Sequence, residues 1–336
     1  MKEAMLYQPL PDKKVQCNLC NHRCYIVESK RGICGVRENQ GGTLYSLVYR
    51  RLISRNVDPI EKKPMFHFAP GTGSFSIATV GCNFRCDFCQ NYEISQMPRD
   101  QHQIQGEDVS PEQIVAMAKK TGCATIAYTY TEPTIYFEYA FDIAQLATQE
   151  GLKNIFVTNG YLTEEALRKI HPHLHGANVD LKAFTEEFYQ KRCGARLEGV
   201  LNSLRLMKEL GVWVEITTLV IPGLNDSEGE LRNIAEFISS LGKETPWHIS
   251  RFHPMYKMPD RSPTSVGLLD RARKMGIEAG LRYVYTGNVP GHEGEDTFCY
   301  HCGKLLVDRL GFQILKYQVK GKRCYNCGSA IDGVDL

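Results

Sequence analysis

The stretch GCNFRCDFCQN, residues 81–91, constrains this chain more than any other. It sets Cys82, Cys86 and Cys89 in a C-x3-C-x2-C pattern within one short loop. An apolar run from Ser74 to Val80 leads into the loop and reads as a buried strand. Three thiols packed so closely can wrap one face of a cubane. They would hold three irons of a [4Fe–4S] cluster and leave the fourth open to a small molecule. Ordinary clusters take four thiolates, so the missing fourth is the informative part. The competing reading is a zinc knuckle, but zinc sites usually show paired C-x2-C arms, which this loop lacks.

At 336 residues the chain is long for one domain, and two or three units are expected. It is 43% hydrophobic and 23% charged, enough to bury a sizeable core. A formal net charge of +2 argues neither for nor against nucleic acid. No apolar run reaches membrane-spanning length and no signal peptide opens the chain, so a soluble cytoplasmic protein is expected, with no membrane partner. The 13 cysteines are an odd number, and most fall in pairs or triplets. In a reducing compartment that pattern indicates metal rather than disulfides.

Residues 1–70 form a Cys-rich N-terminal segment. Cys17, Cys20, Cys24 and Cys34 make a C-x2-C-x3-C-x9-C set suited to zinc or to a second cluster, with His22 as a competing ligand. A zinc staple is the favoured reading, because a small segment with little core needs one. Arg50, Arg51 and Arg55 follow in a basic stretch that reads as a solvated face.

From residue 71 to about 290 the pattern alternates. Strand-like runs fall at 74–80, 124–128, 154–158, 178–182, 212–220, 248–252 and 282–286. Helix-like runs fall near 111–121, 133–149, 163–170, 197–210, 226–241 and 264–279. Five of the helical runs end at a glycine, Gly122, Gly151, Gly211, Gly242 and Gly280, a residue that accepts the left-handed turn closing a helix. Repeated βα units imply a parallel sheet with helices outside. Six or so units fall short of an eight-fold barrel, so an α/β fold with a partial, open (β/α)6 barrel is expected. The last segment, 291–336, holds Cys299, Cys302, Cys324 and Cys327 in two C-x2-C-G arms, the pattern of a closed zinc ribbon. Cys123 and Cys193 read as free thiols without partners.

The cysteine loop resembles the signature of the radical SAM superfamily and, within it, the loop of the pyruvate formate-lyase activating enzymes. The run DPIEKKPMFHFAPG, residues 58–71, is similar to a narrower group, the AmmeMemoRadiSam enzymes, and the resemblance covers nearly the whole chain. It implies a radical SAM barrel in which Cys82, Cys86 and Cys89 carry the catalytic [4Fe–4S] cluster. It also implies S-adenosylmethionine (SAM) as a second cofactor, bound at the open iron by its amino and carboxylate groups.

The other residues that the resemblance points to stand near the C-terminal strand ends, where sites of such folds lie. Phe88 is expected near adenine. Glu132 is expected to receive the ammonium of the cofactor, although Tyr130 and Thr131 stand where the family has glycines. A helix cap before Pro133 is the plain alternative for Glu132. Asn159 sits in a TNG turn similar to one near the cofactor. Asp180 and Lys182 alternate onto one face. They resemble a pair that approaches the ribose and the carboxylate, the plain alternative being an inert buried ion pair. The Ile221–Asp226 turn is expected near adenine, and His253 matches a cofactor-contacting histidine.

The function expected is reductive cleavage of SAM to a 5′-deoxyadenosyl radical, which abstracts hydrogen from a substrate the sequence does not identify. The resemblance implies an external one-electron donor such as flavodoxin or ferredoxin. It also points to a Memo-like partner protein or, for a glycyl-radical activating enzyme, a glycyl radical enzyme. A reading from another class, a metal-stapled RNA- or protein-binding module, fits the cysteines and the arginine run. It is disfavoured by the missing fourth cysteine and by the lack of aromatics interleaved along a basic face.

Overall fold

The computed structural model describes residues 1–336. Its centre is one sheet of eight strands: β1 (Ser54–Pro59), β2 (Gly73–Ala78), β3 (Thr125–Tyr128), β4 (Lys153–Thr158), β5 (Gly176–Asp180), β6 (Trp213–Val220), β7 (Trp247–Arg251) and β8 (Val284–Gly287). Their order across the sheet is their order in the chain. From β2 to β8 all neighbours are parallel. The exception is β1, which runs antiparallel to β2 with Val57 opposite Phe75. β1 and β8 do not pair with each other, so the sheet stays open along one seam.

Six helices connect the parallel strands: α1 (Pro111–Lys120), α2 (Phe137–Gln149), α3 (Glu164–Ile170), α4 (Leu197–Glu209), α5 (Glu228–Leu241) and α6 (Val266–Glu278). Each lies close to a helix-like run of the sequence. Ser110 and Gln113 form a capping box at the start of α1, and Ser227 caps α5. Past α1 the chain turns at Gly122 with φ +67°, a conformation costly for a residue with a Cβ.

The mixed α/β fold with a central parallel sheet agrees with expectation; its edge does not. β1 comes from the part of the chain assigned to the N-terminal segment, yet it is hydrogen-bonded into the central sheet. The rest of that segment forms small antiparallel ribbons, among them Tyr7–Leu10 with Lys14–Cys17 and Arg37–Gln40 with Thr43–Ser46. It docks on α2 through a buried ion pair between Arg37 and Glu138. Arg50 and Arg55 pair with Asp108 and Glu107 at the exposed rim, as a solvated face would.

One end of the sheet is floored by residues 64–68. The Glu215 carboxylate at the start of β6 accepts the backbone N–H of Phe66 (3.0 Å) and of His67 (2.8 Å), with Trp213 Nε1 at 3.1 Å and His248 Nε2 at 2.7 Å. Gly176 lies against this floor, where a Cβ would come within 2.9 Å of the Phe68 ring. The C-terminal segment, with β9 (Leu305–Leu310) and β10 (Gln313–Tyr317), spans the open seam. It touches β8 through Thr297, whose hydroxyl lies 2.9 Å from that of Tyr285. It touches the loop before β2 through Arg309, which donates to the Phe66 carbonyl, and through Val334, whose carbonyl accepts from Ala69 N. No helix is long and apolar enough to cross a membrane.

Candidate active site

Opposite the floor, the C-terminal strand ends surround a cavity of about 530 Å³. That volume suits a small ligand. Cys82, Cys86, Cys89 and Phe88 line it from the loop after β2, as do Glu132 after β3, Asn159 after β4, and Asp180 and Lys182 at the end of β5. Of the nine residues expected to hold the cluster and SAM, eight line this one space.

His253 does not. It is exposed on the loop beyond β7, outside the cavity lining, and the wall there is formed by Ser250 and Asn288. The reason is local: Phe252 is buried, and its backbone N–H is held by Thr264 Oγ1 at 2.9 Å, so the next residue turns outward. The Ile221–Asp226 turn is also absent from the lining, to which β6 contributes Thr217 and Leu219.

The cysteine loop is fixed from several sides. Gly81 takes φ +105° directly before Cys82, and a Cβ there would meet Val36 at 2.8 Å. Phe84 N–H points at Cys82 Sγ (3.3 Å), and Cys89 Sγ lies 3.2 Å from Ser95 Oγ. Arg85 N and Asp87 N donate to the carbonyls of Cys193 and Arg192. Cys193 is a free thiol, as expected, and is fully buried behind the loop; its nearness pulls the Cys86 thiol below its ordinary range. Burial pushes the Cys82 thiol well up.

Glu132 is both a cap and a wall. Its Oε1 accepts from Thr134 N (3.0 Å), Thr134 Oγ1 (2.5 Å) and Thr158 Oγ1 (2.7 Å), and its Oε2 accepts from Asn159 N (2.8 Å). Burial raises its pKa and these donors oppose the rise. Oε2 carries one protein donor and keeps acceptor capacity toward the cavity. Asn159 Nδ2 donates to Asn83 Oδ1 (2.7 Å), tying the TNG turn to the cysteine loop. Lys182 Nζ lies 2.9 Å from Asp180 Oδ2 and 5.8 Å from the centre of the Phe88 ring.

Sequence reasoning missed the opposite rim. Tyr130 stands where a glycine was expected and takes the backbone angle a glycine would supply, φ +62°. Its phenol donates to Asp58 and its ring lies under Lys63 Nζ at 4.6 Å. Lys62 and Lys63 line the cavity and both pair with Asp58, so the 58–71 run reaches the site. Phe312, in the turn between β9 and β10, lines it from the C-terminal segment.

The four C-terminal cysteines bring their sulfurs within 4.8 Å of one another, a group able to hold a metal ion. Cys17, Cys20, Cys24 and Cys34 instead wall a small enclosed void, and His22 Nε2 is already committed to the Asn83 carbonyl at 2.8 Å.

A loop of three cysteines lies beneath strand ends that offer a carboxylate, an amide and a lysine, and residues 76–238 carry a radical SAM domain, matching the model of the radical SAM superfamily. Enzymes of that family use a [4Fe–4S] cluster, SAM and an electron donor. An uncharacterized protein of Methanocaldococcus jannaschii is 48% identical over 335 residues, 99% of each chain. A pyruvate formate-lyase-activating enzyme of Clostridium pasteurianum is 22% identical over 60% of this chain and 87% of its own. Among solved structures, a radical SAM methyltransferase from Sphaerobacter thermophilus shares the fold with a TM-score of 0.51 at 16% identity, over 68% of this chain and 71% of that one.

The residues present fit these cofactors. Three thiols and no fourth share the cavity, and the buried Asn83 Nδ2 beside Cys82 has no hydrogen-bond partner.

Proposed function

We propose that this cavity binds a [4Fe–4S] cluster on Cys82, Cys86 and Cys89 together with SAM, and that the chain is an AmmeMemoRadiSam-type radical SAM enzyme. The observation that carries the proposal is the convergence of these three thiols with Glu132, Asn159, Asp180 and Lys182 on one cavity. When bound, the cluster and SAM supply one-electron cleavage to a 5′-deoxyadenosyl radical that takes hydrogen from a substrate. The chain's own residues bind and orient. Glu132 Oε2 accepts from the ammonium of the methionine part. Asp180 accepts from ribose hydroxyls, and Lys182 neutralises the carboxylate. Phe88 gives adenine an apolar face, and the surrounding walls exclude water from the reacting atoms.

The narrower assignment is supported by Lys62 and Lys63, which bring the 58–71 run to the cavity rim. A small molecule or nucleic-acid base is the favoured substrate class, with a Memo-like protein as partner. The second reading, activation of a glycyl radical enzyme, is supported by the activating-enzyme relative. The C-terminal four cysteines are assigned zinc, because sulfurs so close match a tetrahedral site. We also divide the chain into a Cys-rich segment, the barrel and a zinc ribbon, with the first boundary moved ahead of β1.

The test is anaerobic reduction with SAM, alone and with candidate substrates. Slow, uncoupled 5′-deoxyadenosine is expected alone, with a new substrate mass when the substrate is present. A stoichiometric glycyl radical on a partner would favour the second reading. No deoxyadenosine under any reducing condition would overturn both.

A further inference from the structure

The N-terminal cysteines differ in spacing from the C-terminal ones. In the C-terminal set, sulfurs stand 3.7 Å apart between Cys299 and Cys327 and between Cys302 and Cys324. That agrees with the edge of a tetrahedron built on zinc–sulfur bonds, about 3.8 Å. Among Cys17, Cys20, Cys24 and Cys34, no three sulfurs lie within 4.8 Å of one another, and the same is true of Cys82, Cys86 and Cys89. The terminal sulfurs of a four-iron cubane stand roughly 6 Å apart.

The void between the four N-terminal cysteines is enclosed, almost wholly apolar, and about 20 Å³ in volume. A water-sized sphere fits within it, which agrees with sulfurs set wider apart than in a closed zinc site. Arg37 lines the same void at 1% exposure, and its Nε and Nη1 have no hydrogen-bond partner. Two unsatisfied guanidinium donors in an apolar wall are costly, and an anionic occupant relieves them. A tetrathiolate metal centre is anionic with either metal, so the arginine marks an occupied site and the spacing decides which metal fills it.

From this spacing and this void, in a site that the arginine marks for an anionic occupant, we propose that Cys17, Cys20, Cys24 and Cys34 ligate a second [4Fe–4S] cluster rather than zinc. All four irons would be held by protein, so this cluster binds no SAM. Its neighbour is the catalytic loop, a placement that rests on the reading of that loop given above. Ile135 lines the void and lies 3.5 Å from a Cβ built on Gly81, and the Cys34 carbonyl lies 3.4 Å from the same point. His22, between Cys20 and Cys24, holds the carbonyl of Asn83. A second one-electron site therefore stands directly behind the first.

Full-length protein carrying Cys82→Ala, Cys86→Ala and Cys89→Ala, prepared anaerobically, separates the two sites. It is expected to keep about four irons and four sulfides per chain, and on reduction to give an electron paramagnetic resonance signal that SAM does not shift. Loss of all iron, with zinc rising to two per chain, would overturn the proposal while leaving the loop assignment intact. Cys24→Ser in the wild-type background should lose about four irons and keep the SAM-responsive signal. Should either variant fail to fold, the wild-type protein decides. About eight irons and one zinc support the second cluster, and about four irons and two zincs overturn it.

Discussion

The phenol of Tyr130 donates to the Asp58 carboxylate, joining the turn after β3 to the antiparallel strand β1 across the rim of the cavity. Asp58 also pairs with Lys62 and Lys63, and these contacts hold its carboxyl well below the usual range against the opposing effect of burial. Tyr130→Phe removes the hydroxyl and keeps the ring beneath Lys63. The expected loss of stability is about 1 kcal/mol. SAM affinity should fall less than it does on loss of Glu132, and parallel melting and titration calorimetry check the comparison. Tyr130→Gly would relieve a left-handed angle that costs about 1–2 kcal/mol, but it also gives up the ring and the hydroxyl. A net gain in stability would show that the contacts to Asp58 and Lys63 contribute less than the strain they accompany.

Glu132→Gln sets an amide where the carboxylate accepts from four donors. One donor then faces a donor, and the expected cost is about 1–3 kcal/mol. SAM binding should weaken as well, because the ammonium loses a charged acceptor. Equal SAM affinity in a destabilised variant would reduce Glu132 to a helix cap.

Cys324→Ser should remove zinc and lower the melting temperature, while the iron content and the visible cluster band persist. Cys324 is buried with Phe66 and Tyr285 in a small core of its own, separate from the loop. Cys327 is the exposed member of the four, and its thiol is pulled down to about 6, chiefly by the Ser329 hydroxyl. In zinc-stripped protein it should be the first C-terminal cysteine alkylated at neutral pH. Unchanged metal content in Cys324→Ser would dismiss the zinc assignment.

His67 carries a pH dependence into the floor. Its Nδ1 donates to the Asp332 carbonyl at 2.7 Å, so Nε2 is free to accept from the Tyr285 hydroxyl at 2.6 Å, and the ring is neutral. Burial brings its pKa down to about 4, aided by Arg309 and His248 and opposed by Glu215. A histidine depressed in the folded state is protonated first in the unfolded chain. Stability is therefore full above about pH 6.5 and is lost as pH falls toward 4, by on the order of 3 kcal/mol. Glu215, itself held low by His248, adds to the loss at the acid end of that window. His67→Gln should flatten the melting profile between pH 6.5 and 4, and an unchanged slope would place the titration elsewhere.

The helices and parallel strands were legible because each apolar run is buried and each turn carries its glycine or cap. β1 was not, because Ser54–Pro59 is an edge strand with one buried residue, Asp58, and so has no apolar alternation to betray it. The convergence on the cavity was legible from strand ends. The outward turn of His253 was available too: Ser250 faces the cavity, and a residue three further along has the opposite parity. Cys193 and Phe312 carry no local signal. Their neighbours come from distant parts of the chain, and only packing brings them there. Tyr130 misled because a left-handed angle is normally written with glycine, and here the cost is offset by contacts to Asp58 and Lys63.

The C-terminal segment grips β8 on one side and the loop before β2 on the other, so it closes the one seam that hydrogen bonding leaves open. It is also translated after every strand it joins. Until those last residues emerge, the contacts that bridge β8 to the loop before β2 do not exist, and the edges of the sheet stay unfastened.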